Sequence, residues 1–228
     1  MYFSLIFCLP FAHTPGTEGT YYTFTAIDKT TSPWTVTMTS TDDPLVANKP
    51  YMFKPSSTGE VTFSGTAVFD FDLSSDVVYD TEITGGKWNL IGTYESRLWD
   101  DTNHTDEIGS VYGFAAQSYD GSGYTVSPGD FVKAMAGATI APFRAYLKYT
   151  APSSARCVTR GTDDLPATMS VRLVSASGAP TAIGTLDTRT GEITFSDDAW
   201  YSLDGRRLSS KPATKGIYIN NGKKVVIK

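Results

Sequence analysis

Alternation of apolar with polar residues at every second position is the feature that most narrows what this chain can fold into. Thr20 to Ile27 reads TYYTFTAI and Trp34 to Thr39 reads WTVTMT. Successive side chains of a strand point to opposite faces, so such runs turn one face to a core and the other to water. The pattern returns at Ala47 to Pro55, Val61 to Phe71, Lys87 to Glu95, Val111 to Ala115, Asp130 to Lys133 and Ala138 to Tyr149. In the second of these, Phe69, Phe71 and Leu73 share one face and Asp70 and Asp72 the other. No segment sustains an apolar stripe at the helical period of about 3.6 residues. Turn residues intervene about every 8–12 residues, the spacing of a sandwich or barrel.

These patterns predict an all-β chain: an antiparallel β-sandwich or barrel-like domain over residues 1–150, then a small C-terminal β-hairpin module. Ala47 to Pro55, ANKPYMFKP, is a strand bracketed by two prolines, and proline cannot donate to a ladder, so it is expected at an edge or with a bulge. Trp88, Leu90, Tyr94, Phe114, Phe131, Phe143 and Tyr146 are the expected core, because they recur in the strands that read as central. With 13 Tyr, 12 Phe and 4 Trp, the chain has enough large side chains to fill one. Residues 151–182 shift to Ala, Ser, Pro and Gly with few apolar islands, which reads as a linker holding one strand. Ile183 to Phe195 then forms a hairpin around Thr190-Gly191 and leads into the C-terminal module, residues 183–228.

That module ends AWYSLDGRRLSSKPATKGIYINNGKKVVIK. Asp204-Gly205 and Asn221-Gly222 are turn dipeptides between strand-like runs. Asn-Gly in particular tolerates the positive φ that a two-residue hairpin turn demands. The pattern WYSLDGRRL, KGIYI and NGKKVVIK resembles the C-terminal sorting domains of the type IX secretion system. The resemblance is to the variants that close large secreted and leucine-rich-repeat surface proteins of anaerobic Gram-negative bacteria. Earlier in the chain, ANKPYMFKPS, WNLIGTYE, YGFA and GDFVKAMAGATIAPFRAYLKY resemble a β domain that precedes the sorting tail in those proteins. The opening strand with Cys8-Leu9-Pro10-Phe11 matches the same domain.

The resemblance implies a secreted or cell-surface, non-enzymatic β domain within a larger precursor, with export machinery as partner. Its sorting residues would be Trp200, Gly205, Gly216, Tyr218, Asn221, Gly222, Lys223 and Lys224. No catalytic residues and no cofactor come with it. The start, MYFSLIFCLPFAHT, lacks a basic region and a small-residue cleavage site, so it reads as a buried strand of a domain that begins upstream.

The residues themselves narrow the chemistry further. A formal charge of −5 without a basic stripe argues against a nucleic-acid partner, and no apolar run approaches a transmembrane span. GxSxG, P-loop, HExxH and CxxC motifs are missing, and His13 and His104 have no second histidine at ligand spacing, so no metal site is expected. Cys8 and Cys157 would pair only in an oxidising compartment; a buried free thiol at Cys8 is the ordinary alternative. WDDTNHTDEIG supplies Asp100, Asp101, Asn103, Asp106 and Glu107, but its spacing is not that of a calcium loop, and it reads as a solvated polar loop. Asp70, Asp72, Asp80 and Glu82 would mean hydrolysis only as a pair in one pocket. Among Trp34, Trp88 and Trp99, Trp99 is the candidate platform for a glycan or host-surface ligand, and the discriminating property is its exposure beside a groove.

Overall fold

The computed structural model describes residues 5–83, 85–121, 124–152, 165–176, 184–187, 192–195, 200–202, 207–208, 212, 214–220 and 223–227. The first strands are β1 (Leu5–Cys8), β2 (Gly19–Asp28), β3 (Trp34–Thr41), β4 (Pro50–Pro55), β5 (Val78–Tyr79), β6 (Lys87–Thr93) and β7 (Arg97–Trp99). A 3-10 turn, Thr105–Glu107, precedes β8 (Val111–Phe114), β9 (Tyr119–Gly121), β10 (Tyr124–Val126), β11 (Phe131–Lys133) and β12 (Ala138–Ile140). Next come β13 (Arg144–Thr150), β14 (Thr168–Val174), β15 (Gly184–Asp187) and β16 (Glu192–Phe195). The last are β17 (Trp200–Ser202), β18 (Arg207–Leu208), β19 (Gly216–Asn220) and β20 (Lys223–Ile227). The all-β expectation holds. Among the described residues no helix is long and apolar enough to cross a membrane.

The chain divides into two compact units, Met1–Gly178 and Ala179–Lys228. In the first, the strands run β1-β4-β2-β3-β14-β11-β8-β13, and β13 returns to β1 where Phe7 faces Arg144. Eight strands thereby close into a barrel-like ring, and closure removes the open edges that invite aggregation. β6 and then β5 extend from the other edge of β13. Every pairing in this sheet is antiparallel except β14 with β3. The one strand expected within the 151–182 linker is therefore a ring member, and its Met169 is fully buried.

Trp88, Leu90, Phe131 and Tyr146 are buried as expected. Trp88, Leu90 and Phe131 sit in one cluster with Tyr22, Phe24, Met38 and Met52. Tyr94 and Phe114 are only half-buried. Phe143 departs from expectation: it is 45% exposed, with φ of 59°. Pro142 before it can neither donate a ladder bond nor continue the strand, so the run Ala138 to Tyr149 breaks into β12 and β13 with Phe143 at the corner.

Two further expectations fail for a common reason, that pairing is decided by distant partners. β4 is not an edge strand, since it pairs with β1 on one side and β2 on the other. Its prolines occupy the first and last positions, where a missing donor does little harm. Val61 to Phe71 forms no strand. Phe63 packs against the cluster of Phe7, Tyr21 and Phe53, but Phe69 and Phe71 are exposed, Phe69 with its ring edge-on to that of Tyr94.

Cys8 is fully buried, as the free-thiol alternative had it. Burial pushes its thiol up to about 11. A methyl placed on Gly92 would lie 2.7 Å from Cys8 Sγ, so only glycine lets β6 approach β1 this closely. Cys157 lies outside the described residues.

Candidate functional site

β8 pairs with β13 only through Tyr112–Leu147 and Val111–Lys148. β1 meets β13 at Phe7–Arg144, and beside it the Cys8 N–H donates to the Phe143 carbonyl at 3.3 Å. The ring is thus stitched at both ends of a short seam, and Ala145 and Tyr146 line the gap between the stitches. Over this gap lies the segment Ala134 to Ala141, held by β12 pairing with β7, Ala138 opposite Trp99 and Ile140 opposite Arg97. Gly137, at φ of 91°, makes the bend and donates its backbone N–H to the Trp99 carbonyl at 2.8 Å.

A cavity of about 780 Å3 opens here. Small residues create it: Gly113, Ala134, Ala136, Ala138, Ala141 and Ala145 stand where larger side chains would fill the space. Trp99, Tyr112, Phe114 and Tyr146 supply broad apolar walls, and Arg144 and Lys133 are the charged side chains on the lining. A methyl placed on Gly113 meets no atom within 4 Å.

Trp99 is 3% exposed, packed in a cluster with Val111, Ala134 and Tyr146. It is a wall of the cavity and not the exposed platform that glycan stacking would use. The cause is Glu107, from the loop that read as wholly solvated. Its Oε2 accepts bonds from Trp99 Nε1 and Arg97 Nη2 at 2.8 Å each, and its Oε1 accepts one from Lys148 Nζ at 2.8 Å. Burial alone would raise the Glu107 carboxyl, but the bonds from Lys148, Trp99 and Arg97 outweigh it and bring it down to about 2. The Arg97 guanidinium also stands 5.6 Å from the Trp99 ring centroid and 5.5 Å from that of Tyr146.

The other acidic candidates serve the fold locally. Asp80 forms a buried ion pair with Lys29 at 2.6 Å and accepts a bond from Trp88 Nε1, while Glu82 is exposed. Asp70 accepts the backbone N–H of Phe71 at 2.6 Å, and Asp100 those of Thr102 and Asn103. His13 Nε2 lies 2.9 Å from Glu18 and 3.1 Å from Tyr21 Oη, while exposed His104 meets Arg97 Nη2 at 3.0 Å. Among the described residues no three His, Cys, Asp or Glu side chains group to hold a metal ion.

In the second unit, β18-β17-β19-β20 form an antiparallel sheet. Trp200 in β17 faces Leu208 and Asn220, and Gly216 opens β19 opposite Ile227. Tyr218 faces Ser202 on one side and Val225 on the other. Lys223 and Lys224 lie on β20, opposite Asn220 and Ile219. Gly205, Asn221 and Gly222 lie outside the described residues, as do Thr190 and Gly191 between β15 and β16.

Two features escaped sequence reasoning. The anchoring role of Glu107 has no local signal, because Lys148 stands 41 residues away. The cavity did leave one, the small-residue run AMAGATIA in a domain otherwise rich in rings. Comparison of the chain with protein-family models, curated proteins and solved structures finds no match.

Proposed function

We propose that the first unit is a non-enzymatic binding module that takes an apolar small molecule into the seam cavity. The observation that supports this is the cavity itself. It is a concave, largely apolar opening with a few polar groups at its rim, the usual character of a small-molecule site. A volume of about 780 Å3 falls within the usual size of small-molecule pockets. Titrating the full chain with 1-decanol, a neutral probe, should give a saturable change in tryptophan fluorescence, since Trp99 is a wall. Gly113→Leu places its side chain in open space and should abolish the change. No saturable change in the wild-type protein, or an unaltered titration in the variant, would refute the reading. The glycan alternative would need Trp99, which is 3% exposed, as its platform.

A second reading, for the C-terminal unit, rests on a separate observation. Residues 179–228 cluster as their own compact unit, and the stretches WYS, GIYIN and KKVVI that carry the resemblance to sorting domains are its strands. In this reading the unit is recognised by export machinery, and the protein is secreted or displayed at the cell surface. The test fuses residues 183–228 to a periplasmic reporter in a bacterium that has the machinery. The intact fusion should reach the surface or medium, and deletion of residues 216–228, which removes β19 and β20, should leave the reporter in the periplasm. Equal export of both would overturn the reading.

A further inference from the structure

We infer that the cavity ligand is a single-chain amphiphile with one anionic head, seated with its head at Arg144; this rests on the binding-module reading above. The lining has two charged side chains, both cationic, and no Asp or Glu, in a chain whose formal net charge is −5. The Lys133 ammonium donates to the Leu165 carbonyl, which ties that charge to the wall. Arg144 has no carboxylate within ion-pairing distance among the described residues. It is exposed, so its head group remains wet.

Its root is fixed. Arg144 is the first residue of β13 and pairs with Thr93 of β6 on one side and Phe7 of β1 on the other. The backbone at the rim is therefore held from both edges, while the guanidinium is unengaged by any acid among the described residues. Behind it lie Ala145, Tyr146, Ala138 and Ile140, which offer no charge to a ligand body.

A wholly apolar ligand would leave the guanidinium unused, and a polar one would lose hydration against alanine and aromatic walls. An alkyl chain ending in a carboxylate or phosphate meets both conditions. Its body removes apolar wall from water, and its head takes the planar fork of Arg144 with two parallel bonds. Because the rim is hydrated, the head keeps part of its solvent shell, and the pair avoids most of the desolvation cost of a buried ion pair.

The experiment titrates the full chain with decanoate and with 1-decanol, each below its aggregation concentration, by tryptophan fluorescence. Decanoate should bind more tightly than decanol by roughly fivefold, the size of one partly exposed charge pair, and high salt should narrow the gap. Arg144→Gln should remove the preference while decanol binding persists, and Arg144→Lys should restore part of it. Persistent decanol binding in Arg144→Gln also shows that the variant is folded. Equal affinity for the two probes, or an undiminished preference in Arg144→Gln, overturns the anionic head and leaves the binding module standing. Failure of both probes on the wild-type protein overturns both. Flotation with phosphatidylglycerol vesicles distinguishes a free amphiphile from a bilayer: vesicle binding that decanoate does not compete would place the anion site outside the cavity and refute the inference.

Discussion

Trp99 Nε1 lies 2.8 Å from Glu107 Oε2, and through this bond a loop carboxylate sets the orientation of an indole that walls the cavity. The same oxygen takes Arg97, whose guanidinium packs over the indole face, so the ring is held at its edge and its face together.

The Glu107 cluster should make stability fall in acid. The folded carboxyl is lowered from 4.5 to about 2. A depressed carboxylate contributes stability that is fully present above its unfolded value and is lost as pH falls through the folded one. Urea midpoints should therefore decline between about pH 5 and pH 2. Glu107→Gln should cost roughly 3 kcal/mol at neutral pH, because Arg97 and Lys148 lose their shared acceptor, and its pH profile should be flatter over that range. A variant profile parallel to that of the wild-type protein would show that the decline arises elsewhere.

Lys29 and Asp80 offer a second electrostatic test. Their side chains are 7% and 0% exposed, and Lys29 also stands 4.9 Å from the Trp34 ring. Asp80→Leu leaves buried Lys29 with only a longer 3.6 Å contact to exposed Glu82, and should destabilise by roughly 3 kcal/mol. Pairing Lys29→Met with Asp80→Leu should recover part of that loss, since no buried charge is left unpaired while Trp88 Nε1 and the Glu82 and Ile83 N–H groups still lack their acceptor. A double-mutant cycle of denaturation free energies measures the coupling, and simple additivity would contradict the buried pair.

Two phenylalanines on neighbouring strand patterns should part company on truncation. Phe131 is fully buried against Phe114, and Phe131→Ala should cost about 3–5 kcal/mol. Phe143 sits at a solvent-facing corner in a left-handed conformation, so Phe143→Ala should cost less than about 1 kcal/mol. Chemical denaturation of the two variants compares them directly, and equal losses would place Phe143 in the core after all.

Strand runs that alternate and end in turn residues were readable in the sequence, as at β2, β3 and β6. Alternation is a local property, however, and pairing is not. Val61 to Phe71 alternates as well as β3 does, yet finds no strand partner and lies over the surface, where Gly65 passes close to the Phe11 ring. β14 shows the converse. Its stretch TMSVRLV sits amid linker-like composition, and its parallel partner β3 precedes it by more than a hundred residues, beyond any short-range pattern. The cavity was harder to anticipate, because it is built from what alanines and glycines leave out. Glu107 looks like its acidic neighbours until folding brings Lys148 and Arg97 to it.

The C-terminal sheet yields the last prediction, on Tyr218. Its backbone lies in β19 between β17 and β20, opposite Ser202 and Val225, and its Oη donates to the Thr214 carbonyl at 3.0 Å. Tyr218→Pro removes a backbone donor from an inner strand, where proline is poorly tolerated, and should cost roughly 1–3 kcal/mol. Tyr218→Phe removes only the Oη bond and should cost roughly 0.5–1 kcal/mol. Hydrogen exchange in the full chain should show lost amide protection along β19 and β20 for the proline variant alone. If export machinery reads the folded sheet, the proline variant of the reporter fusion should remain in the periplasm while the phenylalanine variant is exported. Export of both would mean that recognition depends on the local sequence and not on the paired strands. Retention of both would point instead to the tyrosine hydroxyl as part of the recognised surface.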